Sequence, residues 1–259
     1  MLAAPQFVQA APRVLSLDQC ADQFVLALSP RSAIAGLSTR ADDGDSRLRR
    51  LAQGLPKRRV DLETARAAQP QVVVRYWGGE PRLITALEAR GVQVVTIAEA
   101  HDFASVRDNI RKVAGALDQA AAGERLITDM DQRLAHALGA WKGRSVLYLT
   151  PGGVTAGQGT LVDAILRGAG LTNAERRPGF QTVSLERLAL DPPQAVVVGF
   201  FDTRQATSDS FGIGRHQVLQ RVVHGRAVAS LPGAMLGCPD WSAAEAVERL
   251  ALAARTTGR

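Results

Sequence analysis

At 259 residues with a formal net charge of +6, the chain is long enough for two compact cores, and 46% hydrophobic with 22% charged residues is ordinary globular composition. No apolar run reaches about 18 residues, so no segment reads as a membrane-spanning helix. The positive charge raises nucleic acid as a partner, but Lys57, Lys112 and Lys142 are the only lysines and the arginines are scattered, so none is expected.

In chain order, "MLAAPQFVQAA" (1–11) reads either as the small-residue end of a secretory signal peptide or as a disordered tail. "RVLSL" alternates apolar and polar between Pro12 and Asp18 and predicts a strand. A helix carrying Phe24, Val25 and Leu28 follows, and then the strand "AIAGLS". The basic stretch "RLRRLAQGLPKRR" (47–59) reads as a solvated helix and loop. Asp61 is a helix cap for Leu62–Ala68, and Pro70 ends that helix. "QVVVRYW" is a continuous β-branched run, as in a strand buried on both faces of a parallel sheet. A helix over Glu80–Arg90 and the strand "VQVVTI" complete the half.

Residues 102–141 carry no strand signal. Phe103, Val106, Ile110, Val113 and Leu117 form one helical stripe, and Ile127, Met130, Leu134, Leu138 and Trp141 form another. The second predicts a rod of about 20 to 24 residues. Beyond it the order returns: strand "SVLYL", a glycine-rich turn, helix Leu161–Arg167, a helix capped by Ser184, strand "AVVVGFF", helix His216–Val223 and strand "AVASL". The expectation is an α/β protein of two Rossmann-like lobes with mostly parallel sheets, joined by a single long rigid helix. The lobes span 12–101 and 142–259, with 102–141 between them.

The two halves share more than an order. "DLETARAAQPQVVV" (61–74) returns as "SLERLALDPPQAVVV" (184–198), with Leu62, Glu63, Pro70, Gln71, Val73 and Val74 matched by Leu185, Glu186, Pro193, Gln194, Val196 and Val197. A duplicated unit accounts for this repeat.

Ligand sites in open α/β sheets lie beyond the carboxyl ends of the strands. Tyr76 and Trp77 close one predicted strand, Tyr148 lies near the end of another, Phe200 and Phe201 close a third, and Met235, Leu236 and Trp241 follow the last. Such a rim suits a large, partly apolar ligand. Arg40 and Arg75 are candidates for an anionic group on it, or for surface ion pairs. Cys20 and Cys238 stand in no metal or redox spacing; they read either as one disulfide or as two separately buried residues.

From "PRVLSLDQCADQFVLAL" to "CPDWSAAEAVERLA" the chain resembles the periplasmic substrate-binding proteins of ABC importers that have a helical backbone, the cobalamin and ferric-siderophore type. "DLETARAAQPQVVV" followed by "GG" and "LEARGVQVV", and "VSLERLALDPPQAVVV", carry the resemblance most specifically. It implies a periplasmic protein that is not an enzyme, holding a corrinoid or ferric siderophore in a cleft between lobes and delivering it to a membrane permease. A haem carrier of the same fold is the alternative. It further implies that Glu63 and Glu186 dock onto the permease; a first-turn glutamate also stabilises its own helix by about 0.3 to 1 kcal/mol. A monomer with no resident cofactor or metal is expected.

The rival class is a nucleotide-binding α/β enzyme, invited by "GGVTAGQG" (152–159). Gln158 and Gly159 stand where a P-loop needs Lys and Ser or Thr, and the chain has no G-x-G-x-x-G.

Overall fold

The computed structural model describes residues 10–202 and 215–257, so the expected signal remnant lies outside the described residues as far as residue 9. The chain forms two compact units: residues to Ile97 together with Arg111–Gly123, and Ala98–Ile110 together with Glu124–Arg259.

In the first unit β1 (Val14–Ser16), α1 (Gln19–Leu28), β2 (Ile34–Ser38), β3 (Lys57–Arg58), α2 (Leu62–Ala68), β4 (Val72–Arg75), α3 (Pro81–Glu88) and β5 (Gln93–Thr96) alternate along the chain. The strands form one parallel sheet in the order β3-β2-β1-β4-β5. Helix starts follow local chemistry. Asp18 accepts from the Ala21 amide, Asp61 accepts from the Thr64 amide, and Pro81 occupies the start of α3, where a missing N–H costs nothing. Gln69, in the left-handed region at φ 46°, ends α2. The valines of β4 are buried, as a central strand covered on both faces requires, and Leu15, Leu17, Ala65, Ala68, Leu83 and Leu87 pack with Val73. The basic stretch 47–59 is a run of turns leading into β3 rather than a helix.

The second unit repeats the plan with β6 (Ser145–Leu149), β7 (Val154–Ala156), α6 (Leu161–Gly168), β8 (Thr172–Asn173), β9 (Phe180–Thr182), α7 (Leu185–Leu190), β10 (Val196–Gly199), α8 (Gln217–Arg226), β11 (Ala227–Leu231) and α9 (Ser242–Thr257). Its parallel sheet runs β11-β10-β6-β8, while β7 and β9 pair antiparallel. Read from the other edge, β8-β6-β10-β11 matches β2-β1-β4-β5. The repeated segment thus supplies the same parts twice, a helix and then a central strand with parallel neighbours on both sides.

Residues 102–141 correct the expectation of a single long helix. They form α4 (Phe103–Ala116) and α5 (Ala120–Ala137), one for each apolar stripe. Asp118 turns into the left-handed region at φ 55° and breaks the ladder, and the Gln119 amide donates back to the Ala114 carbonyl. At 18 residues α5 stops short of Trp141, whose indole N–H donates to the Leu250 carbonyl inside the second core.

Candidate functional site

At the carboxyl ends of β1, β2 and β4, in the first unit, lies a buried polar cluster. Asp18 is 1% exposed, and its carboxylate accepts four backbone amides: Ala21 on one oxygen, at 2.9 Å, and Tyr76, Trp77 and Gly78 on the other, at 2.7, 3.2 and 2.8 Å. Four donors offset the desolvation of a buried carboxylate. Asp22, one helical turn on, accepts from the amide and hydroxyl of Ser38 at the end of β2. Burial pushes the Asp22 carboxyl up to about 6, with the Asp18 charge adding to the rise and the Ser38 hydrogen bonds offsetting part of it.

The loop after β4 stands on this cluster. Trp77 is 56% exposed, a large apolar ring left in solvent by a backbone held on both sides, and Tyr76 beside it is half-buried. Arg75 does not offer its guanidinium as a free anion site: Nε donates to the Gly78 carbonyl at 2.6 Å and a terminal nitrogen to the Trp77 carbonyl at 3.4 Å. Arg40 is likewise engaged, with Asp43 at 3.1 Å and Asp45 at 3.3 Å on an exposed turn.

In the second unit the strand ends at β6 and β10 bring together Tyr148, Gly199 and Leu236, so closely that a Cβ at Gly199 would overlap the Tyr148 hydroxyl. Tyr148 is 1% exposed and packs in the core with Trp141, Ile165 and Val197. Its hydroxyl finds no hydrogen-bond partner among the described residues, and burial pushes its pKa well above the usual phenol value. Trp241 is buried too. Phe201 packs against Leu149, Val198 and Leu219. Phe200 sits at φ 63°, strained for a bulky residue, and Met235 and Leu236 lie half-buried at the turn following β11. Of the candidates here, Phe200, Phe201, Met235 and Leu236 keep partial exposure, while Tyr148 and Trp241 belong to the interior.

The glycine-rich stretch has a packing reason. A Cβ at Gly157 would overlap the Arg177 carbonyl oxygen, and the Gly157 amide donates to the Gly179 carbonyl, which locks the β7–β9 pair. Thr160 caps α6 itself, accepting from the Asp163 amide. Glu63 and Glu186 both lie exposed in the first turns of α2 and α7, whose caps are Asp61 and Ser184. Among the described residues no group of three His, Cys, Asp or Glu side chains is placed to hold a metal, no helix is long and apolar enough to cross a membrane, and no cysteine is free.

The buried acids Asp18 and Asp22 and their partner Ser38 escape a sequence reading. Asp18 is legible as a cap, but its three further amides come from about 60 residues away in the chain. Only the β1–β4 pairing brings them to it.

No curated protein matches the chain. Among solved structures, the periplasmic heme-binding protein BhuT in complex with two hemes aligns at 27% identity over 94% of this chain and 99% of that one, with a TM-score of 0.66. The periplasmic vitamin B12 binding protein BtuF of Vibrio cholerae aligns at 17% over 96% and 98%, TM-score 0.63. An ABC-type Fe3+-hydroxamate transport system from Saccharomonospora viridis DSM 43017 aligns at 19% over 95% and 94%, TM-score 0.68. The last two likenesses speak for the fold. The family described as "Periplasmic binding protein" matches residues 14–232, which include every strand of both sheets, and the chain belongs to that family.

Proposed function

We propose that the chain is the substrate-binding component of an ABC importer, taking up a large metal chelate of the corrinoid or ferric-siderophore class and passing it unchanged to a membrane permease. The observation that carries this reading is Trp77, a half-exposed indole on a doubly held loop at a strand's carboxyl end. Phe200, Met235 and Leu236 supply apolar surface at the corresponding strand ends of the second unit. Flat apolar groups with few free charges suit a large chelate better than a small ion. Glu63 and Glu186 are the proposed permease contacts, and the working form is a monomer.

A second reading, a haem carrier, is favoured by the 27% identity to a structure solved with two hemes. One experiment separates them. The purified protein is titrated with cyanocobalamin, a ferric trihydroxamate and haemin, following tryptophan quenching and chelate absorbance, with native mass spectrometry for stoichiometry. Saturable binding of one chelate, recovered chemically intact, is expected. Failure of all three to bind overturns the proposal, and turnover of any of them marks an enzyme.

A further inference from the structure

We propose that Asp18 is a positioning residue: with Arg75 it fixes the backbone of residues 76–78 so that Trp77 is held out at the end of β4. The role is distinct from capping α1, although one carboxylate performs both. One oxygen serves the Ala21 amide, and the other gathers the amides of Tyr76, Trp77 and Gly78. Three consecutive N–H groups converging on one acceptor allow a single local backbone path, the arrangement by which loops elsewhere bind an anion. Here the anion is built in. Arg75 holds the opposite side through the carbonyls of Trp77 and Gly78. Gly78 permits the close approach, since a Cβ there would overlap the Leu17 carbonyl oxygen and crowd the Asp18 side chain.

The clamp does nothing for the burial of Trp77, which stays 56% exposed. A fold gains little by pinning an exposed indole, whereas a binding surface gains affinity when its aromatic contact is already in place. This affinity consequence rests on the proposed role of Trp77 in ligand capture; the positioning itself does not.

The test labels the protein with 5-fluorotryptophan and follows the 19F resonances of Trp77, Trp141 and Trp241, the first assigned by its loss in Trp77→Phe. Asp18→Ser retains a helix cap but is too short to reach the loop, and Arg75→Gln releases the loop carbonyls without touching α1. In both variants the Trp77 resonance is expected to narrow and move toward its denatured position, while those of Trp141 and Trp241 stay fixed. Asp18→Asn, which keeps one acceptor oxygen, should restore part of the native shift. Affinity for whichever of cyanocobalamin, ferric trihydroxamate or haemin binds should fall about tenfold. If Asp18→Ser fails to fold, Arg75→Gln and Asp18→Asn carry the test. An unmoved Trp77 resonance in every folded variant overturns the proposal. A moved resonance with unchanged affinity, in a protein where Trp77→Ala also leaves affinity unchanged, upholds the clamp and removes Trp77 from the ligand site instead.

Discussion

As a proposed ligand contact, Trp77 is the residue at which affinity and fold stability should separate most clearly. Its ring makes little of the core, so Trp77→Ala should leave the apo melting temperature nearly unchanged while weakening chelate binding by about 1 kcal/mol beyond lost contact area. Equal loss of both would make it a packing residue. Tyr148 predicts the opposite sign. Its hydroxyl is buried without a partner among the described residues, and such a group costs about 1 to 3 kcal/mol, so Tyr148→Phe should raise apo stability in urea unfolding. A destabilised variant would show that the hydroxyl has a partner. Asp22 sets a pH dependence. Its ordinary value is 3.8 and its folded value about 6, so the native state binds the proton more tightly than the unfolded chain does. Its contribution is therefore full below about pH 4 and lost as pH rises through 6. Asp22→Asn, which keeps an acceptor for the Ser38 amide, should flatten the stability profile over that window, and an unchanged profile would assign the slope elsewhere.

Among the elements, α2 and α7 are the pair to examine. Both are short, both begin with a side-chain cap and a first-turn glutamate, and both lead into an inner strand of their sheet. Helix-dipole stabilisation alone explains Glu63 and Glu186 if mutation costs only stability. As permease contacts they should behave differently. Single Glu63→Ala or Glu186→Ala variants should impair reconstituted transport, and the double variant should nearly abolish it with chelate affinity intact, since charge pairs desolvated in an interface cost a few kcal/mol to break. Full transport by the double variant would return both residues to the role of helix starts. The break between α4 and α5 belongs to this scale as well. Apolar periodicity runs on either side of it, and Asp118 in the left-handed region divides one expected helix into two.

At the scale of the whole molecule, the two cysteines bear on export and stability. The chain has only Cys20 and Cys238, and no free cysteine remains among the described residues. Of the two readings of these cysteines, a disulfide or two separate residues, the oxidising compartment of the family favours the first. Thiol titration of the denatured, unreduced protein should then find none, and reduction should lower stability by about 2 to 4 kcal/mol. Two thiols per chain would instead show that the cysteines are not bridged.

Two kinds of information divide the protein. By itself the sequence determined the main alternation of strands and helices, the caps at Asp61 and Ser184, the duplicated segment and the place of Trp77 at a strand end. All of these act through the spacing of apolar residues or through hydrogen bonds within one helical turn. Tertiary structure alone decided the strand order, the burial of Tyr148 and Trp241, and the hold of Asp18 on a loop about 60 residues away. Those depend on which strands pair, and pairing is settled by the packing of a whole core, which no local window of residues records.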